Sequence, residues 1–172
     1  MQLHFSKKLE KIIPPHLFAI RLPHEMPPEG KWMATLFNLD RKKCLLVTHL
    51  PTRYSVLVPE YKTKDALRLT DLVLEAFAAQ LQHTGTDLKK DRLLEGLSSV
   101  KFFRTDNDRK VIGTQNYLLG ILQEWKTGQP RFSAWDFSER AAILNKIPYQ
   151  QLNCSTPQLE MEQFLKEVLQ LC

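Results

Sequence analysis

Apolar and polar positions along the chain predict short strands first, then helices, with one late strand between the helical stretches. Residues 2–5 alternate and predict a short edge strand. Ser6 is placed to cap a brief helix over residues 7–12, which Pro14 and Pro15 end. Residues 14–30 hold Pro14, Pro15, Pro23, Pro27 and Pro28 around an apolar stretch at 16–20. Proline fixes φ and removes a donor, so this segment is expected to be an extended strap lying on the body. Residues 31–60 read as a β-meander, with strands at 32–39, 44–49 and 54–58 joined by polar connections at 40–43 and 50–53. On the third strand Tyr54, Val56 and Val58 share one face, and Ser55 and Leu57 the other.

Residues 64–97 read as a helical pair. The first helix opens at Thr63-Lys64-Asp65, places Leu67, Leu74, Phe77, Ala78 and Leu81 inward, and ends before Gly85. The second covers 87–97, with Leu88, Leu93, Leu94 and Leu97 inward. Residues 100–103 predict a strand returning to the sheet, and residues 112–172 are helical. Tyr117, Leu118, Ile121, Leu122 and Trp125 form one apolar helix face, which Gly128 and Pro130 terminate. A further helix is expected over 133–146. A last one opens at Ser155-Thr156-Pro157 and docks through Leu159, Phe164, Leu165, Val168 and Leu169. This order predicts a single α+β domain over residues 1–172, a mainly antiparallel sheet packed against several helices.

Composition bounds the function classes. The chain has 172 residues, 43% hydrophobic and 25% charged, the balance of a globular domain able to bury its own core. No run approaches the roughly 18 apolar residues of a membrane span, and the first residues lack the order of a signal peptide. Cys44, Cys154 and Cys172 are odd in number and form no CxxC pair. Free thiols and a cytoplasmic location are expected.

The ordered segments of the chain also resemble a family of small uncharacterised prokaryotic proteins that share a domain of unknown function. The matching pieces are Ser6-Lys7-Lys8-Leu9 for the family's TKKL, Lys31-Trp32-Met33-Ala34-Thr35-Leu36 for its W-x-A-N-L, and Arg41-Lys42-Lys43-Cys44-Leu45 for R-R-K-C-L. Thr52-Arg53-Tyr54-Ser55-Val56 matches T-R-Y-x-V, and Arg109-Lys110-Val111-Ile112-Gly113-Thr114-Gln115-Asn116 matches N-R-S-V-L-G-S-M-N-D. Thr35 and Tyr117 depart from that pattern, standing where the family has an asparagine and an acid. The resemblance implies one fold across the chain and no established activity; by analogy alone it suggests a toxin–antitoxin or defence setting.

Most catalytic chemistry lacks its residues. There is no glycine-rich phosphate loop, no GxSxG and no HExxH. Asp106-Asn107-Asp108 lacks the glycine and glutamate of a calcium loop. Cys44 and His49 fall on opposite faces of one strand and do not form a metal pair. No metal and no cofactor are expected. The best catalytic set is His49, Arg53 and Tyr54 at one turn, residue types suited to base, phosphate clamp and proton donor in a small ribonuclease-like enzyme. The competing reading of that turn is solvated polar residues beside a packed tyrosine.

Charge is more informative. The formal net charge is +5, and residues 31–62 carry six basic against two acidic side chains, residues 100–112 four against two. Arg41, Lys42, Lys43, Arg53, Lys101, Arg104, Arg109 and Lys110 therefore make the candidate nucleic-acid-binding set, able to neutralise phosphates and release counterions. The expectation is a non-enzymatic protein that engages nucleic acid or a protein partner through a basic sheet and turn surface. Arg41–Lys43 and Arg53 should lie at opposite ends of one strand, about 20 Å apart. Lys101 and Arg104 extend that stripe only if the fourth strand pairs beside the meander. The acidic terminal helix is the alternative interaction element, unless it docks on its own core.

Overall fold

Residues 31–60 form the expected ribbon: β2 (Lys31–Leu39), β3 (Lys42–His49) and β4 (Ser55–Val58) pair in antiparallel succession. The structure is a computed structural model, and it describes residues 1–20, 30–86, 100–128 and 131–169. The connection between β2 and β3 is tighter than its polarity suggested. Leu39 pairs with Lys42, leaving Asp40 and Arg41 alone in the turn with φ of 47° and 64°. Positive φ at both central residues is the two-residue hairpin geometry that matches strand twist.

The sheet is mixed, with strand order β4-β3-β2-β1-β5. β1 (Gln2–Phe5) is not the edge strand expected: it pairs in parallel with β2 on one side and with β5 (Lys101–Phe103) on the other. Its alternation comes from two covered faces. Leu3 and Phe5 enter one core, while His4 stacks on Phe103 on the other side, ring centroids 5.1 Å apart. Of the proline-rich strap, Pro15–Leu17 is a single 3-10 turn, and Phe18 bridges to Phe102 beside β5. The rest of the strap (21–29) and the second helix of the expected pair (87–97) lie outside the described residues.

Helices cover both faces. α1 (Lys7–Glu10), α2 (Leu69–His83) and α5 (Pro157–Leu169) close one core, where Trp32, Val47, Tyr54 and Val56 meet Leu74, Phe77, Met161 and Leu165. α3 (Arg109–Gly128) and α4 (Phe137–Leu144) close the other, around Cys44, Leu46, Leu57, Leu118, Leu122 and Leu144. The fold is therefore a single α+β domain. Among the described residues no helix is long and apolar enough to cross a membrane.

Several positions differ from their periodicity. Ser6 holds the N-cap position of α1, yet its hydroxyl makes no capping bond, and the helix is one short turn. The segment from Thr63 begins as a 3-10 helix (Thr63–Arg68) before α2, and that change of winding turns Leu67 outward, 75% exposed. Tyr117 is 54% exposed, because the inward line of α3 is Val111, Gln115, Leu118 and Leu122. Leu159 and Val168 are also exposed, and Met161 joins Leu165 in holding the last helix to the core.

Two buried amides bind the layers together. Gln115 Nε2 donates to the carbonyls of Met33, at 2.9 Å, and of Leu46, at 3.3 Å. Asn145, following α4, accepts from Ser55 N–H at 2.7 Å and donates to Ser55 C=O at 2.8 Å. It thereby satisfies the outer backbone of β4 as a neighbouring strand would.

Candidate nucleic-acid interface

The eight basic candidates fall into three groups. Arg41, Lys42 and Lys43 sit at the β2–β3 hairpin, where they line a cleft of about 490 Å³ with Glu60, Tyr61 and Lys62. Lys42 pairs with Glu60, and its ammonium lies 4.3 Å from the Phe132 ring centroid. Arg53 lies at the opposite end of β3. Eight strand residues separate the two ends by about 26 Å. Lys101 and Arg104 stand on and beside β5, which pairs with β1 and not beside the meander, so they do not extend the hairpin stripe. The Arg104 guanidinium instead covers the Phe18 ring at 4.9 Å.

Arg109 and Lys110 join Arg53 at its end of the sheet. Asp108 caps α3: its Oδ1 accepts from Lys110 N–H at 3.0 Å and from Val111 N–H at 3.3 Å. Asp108 is thus the start of the helix, and it presents Arg109 and Lys110 on the first exposed turn. Together with Gly113, Thr114 and Tyr117, one turn further on, they line a cleft of about 500 Å³. Its other wall is the connection between α4 and α5, with Pro148 and Tyr149 foremost. The Tyr117 and Tyr149 rings meet edge to face, centroids 6.5 Å apart and planes at 85°.

Arg53 stands behind Tyr149. It occupies the left-handed region, φ 60°, which a non-glycine residue enters at some cost. Burial pulls its pKa down while the nearby Asp108 carboxylate and Tyr149 push it back up. An arginine nevertheless remains charged at any ordinary pH. Burial raises the Tyr149 phenol to about 12, Tyr117 adding to the rise and Arg53 opposing it. The Tyr149 hydroxyl is buried with no hydrogen-bond partner among the described residues.

The His49, Arg53 and Tyr54 set is not gathered into one cleft. His49 is fully buried between Trp32 and Phe164, ring centroids at 4.7 and 4.6 Å, and its Nδ1 lies 2.9 Å from Thr52 Oγ1. Tyr54 is buried against Phe77 in the same core, and desolvation drives its pKa well above the phenol range. Arg53 faces away from both, toward Asp108 and Tyr149. Cys44 is buried in the core beneath α3 and α4, on the sheet face opposite His49, and desolvation raises its thiol to about 12. Among the described residues no group of three or more His, Cys, Asp or Glu side chains is arranged to hold a metal.

A half-buried ion pair anchors the loop that carries this site. Lys31 pairs with Asp106 and lies 3.7 Å from Asp108, and His4 Nδ1 is 3.9 Å from Asp106. Burial alone would raise the Asp106 pKa. The hydrogen bond and charge of Lys31, with His4 and the Asp108 amide, outweigh it and hold the carboxyl below its ordinary value. A depressed acid pKa stabilises the fold above the unfolded value and loses that contribution as pH falls through the folded one. Stability should therefore decline below about pH 4. In Asp106→Asn, urea midpoints should be lower than wild type at pH 7 and converge on it at pH 3; parallel curves would assign the acid sensitivity elsewhere.

Arg53, Arg109 and Lys110 stand out in the sequence by charge, whereas Tyr149 and Gly113, which line the same cleft, carry no such signal, and Tyr117 lies outward rather than on the expected apolar face. The usable signal for Tyr117 was the line Val111, Gln115, Leu118, Leu122 at helical spacing, which leaves Tyr117 beside the buried face. No curated protein and no solved structure matches the chain. A family model does match, over residues 2–160. The chain thus belongs to the family defined by the domain of unknown function DUF6933.

Proposed function

We propose that the protein is a non-enzymatic nucleic-acid-binding protein whose contact site is the cleft between the first turns of α3 and the α4–α5 connection. The observation that carries this reading is the composition of that cleft: Arg109 and Lys110 at its mouth, Tyr117 and Tyr149 on its walls, and Arg53 behind. Guanidinium and ammonium groups hold phosphates, and tyrosine rings offer a face to bases. Asp108 already occupies the helix N-terminus, so side chains and not backbone amides would hold a phosphate here. Lys31 and Arg53 offset the carboxylates of the adjoining loop.

The test is fluorescence anisotropy of a labelled oligonucleotide across a series of salt concentrations. Each phosphate contact contributes about 0.7–0.9 to the slope of log affinity against log salt. The double variant Arg109→Ala/Lys110→Ala should lower that slope by about 1.4–1.8 and weaken binding about tenfold or more at moderate salt. Removing two exposed lysines elsewhere, Lys7 and Lys166, should leave the slope nearly unchanged. Equal effects from the two double variants, or binding indifferent to salt, would remove the assignment.

A further inference from the structure

We propose that this cleft admits a single unpaired nucleotide, so that the protein selects single-stranded over duplex nucleic acid; the inference rests on the nucleic-acid reading above and names its substrate. Three features of the cleft point to a base as well as a phosphate. The first is its shape. The site is a concave, open cleft of about 500 Å³, room enough for one base and its sugar, whereas phosphate contact alone needs only a convex basic surface. The second is Tyr117. Tyr117 is 54% exposed and packs at right angles to Tyr149 with centroids 6.5 Å apart, leaving aromatic surface open beside two cations. The third is the Tyr149 hydroxyl, buried without a partner among the described residues and close to Arg53. A buried donor left unpaired is costly, and a small shift of the Tyr149 ring toward the cleft would let a ligand oxygen or ring nitrogen satisfy it.

Gly113 forms part of the floor. It lies one helical turn before Tyr117 on the cleft side of α3, and a Cβ built there would meet no atom within 4 Å. Packing therefore does not require a glycine at this point of the helix. The room it leaves belongs to the cleft. A duplex keeps its bases stacked and paired and can offer this site only its backbone. A single strand can swing one base onto Tyr117 while its phosphate stays with Arg109 and Lys110.

The experiment compares a labelled single strand of about 12 nucleotides, within the usual range of single-strand site sizes, with the duplex it forms with its complement. The wild-type protein should bind the single strand about tenfold or more tightly than the duplex. Gly113→Gln fills the floor without changing charge, and a glutamine suits a helix better than glycine, so its melting temperature should not fall. It should cut single-strand affinity about tenfold and duplex affinity by less, shrinking the preference for the single strand. Gly120→Gln, equally open but away from the cleft, should change neither affinity. Tyr117→Ala should behave like Gly113→Gln. Equal wild-type affinity for the two forms, or an unaltered single-strand affinity in Gly113→Gln, overturns the nucleotide cleft. If the Arg109 and Lys110 effect persists in that case, the broader nucleic-acid reading stands without it. Absence of salt-dependent binding to either form overturns both.

Discussion

Replacing Asn145 by leucine should destabilise the protein by about 2–5 kcal/mol, a large share of the ~5–15 kcal/mol that holds a domain of this kind folded. Asn145 is fully buried, and among the described residues its amide pairs with the outward N–H and C=O of Ser55. Leucine fills a similar volume but leaves both backbone groups buried and unpaired, at roughly 1–3 kcal/mol each. Its own backbone also accepts from Gln158 N–H at 3.0 Å, so the same residue joins the β4 edge to the first turn of α5. Asn145→Asp separates geometry from volume. It keeps the acceptor for Ser55 N–H but turns a carboxylate toward Ser55 C=O, which raises the folded pKa of the new acid. A raised acid pKa means stability retained below the unfolded value, near pH 4, and lost as pH rises above it. Asn145→Asp should thus lie close to wild type at pH 4 and far below it at pH 7 in urea denaturation. A leucine variant within 0.5 kcal/mol or so of wild type would show that Ser55 finds other partners.

Asn145 also illustrates what the sequence could carry. The strands of the meander were legible because β-branched and aromatic residues recur with period two between turn residues, and the faces of Tyr54, Val56 and Val58 followed from that period. The α+β class followed from the order of the elements. The neighbours of β1 did not follow. Parallel pairing joins segments that are distant along the chain, and nothing in Gln2–Phe5 encodes that β2 and β5 will flank it. Asn145 reads as a polar residue near a helix end, and only the approach of Ser55, ninety positions away, reveals its use. The candidate site divides in the same way. Its cations were visible as residue types, but their grouping depends on three segments meeting: the β3–β4 turn, the start of α3 and the loop after α4. Local geometry accounts for two of the misplaced apolar residues. Leu67 sits in a 3-10 turn with a different period, and Tyr117 flanks a helix face centred on a buried glutamine.

Truncation after Asn153 should cost the domain its cooperative fold, the largest effect expected of any change considered. The terminal helix is the alternative element for binding a protein partner, yet Met161, Phe164 and Leu165 hold it to its own core and leave only Leu159 and Val168, among its described apolar positions, exposed. Met161 and Leu165 are fully buried in the core under α2, and Phe164 lies against His49 at 4.6 Å. Returning two buried side chains and part of a third to water costs roughly 1.5–3 kcal/mol for each full side chain, so about 4–8 kcal/mol in all. The loss does not stop there, because it uncovers His49 and the aromatic group of Trp32, Tyr54 and Phe77 beneath it. A domain with ~5–15 kcal/mol in hand falls to the edge of stability. The truncated chain should show a broad, shallow thermal transition and bind a hydrophobic dye, while the shorter change Phe164→Ala should lower stability by about 2–4 kcal/mol and keep a cooperative transition. A truncated protein that melts like wild type would mean that the helix contributes little to the core, and would return it to the role of a partner-binding element.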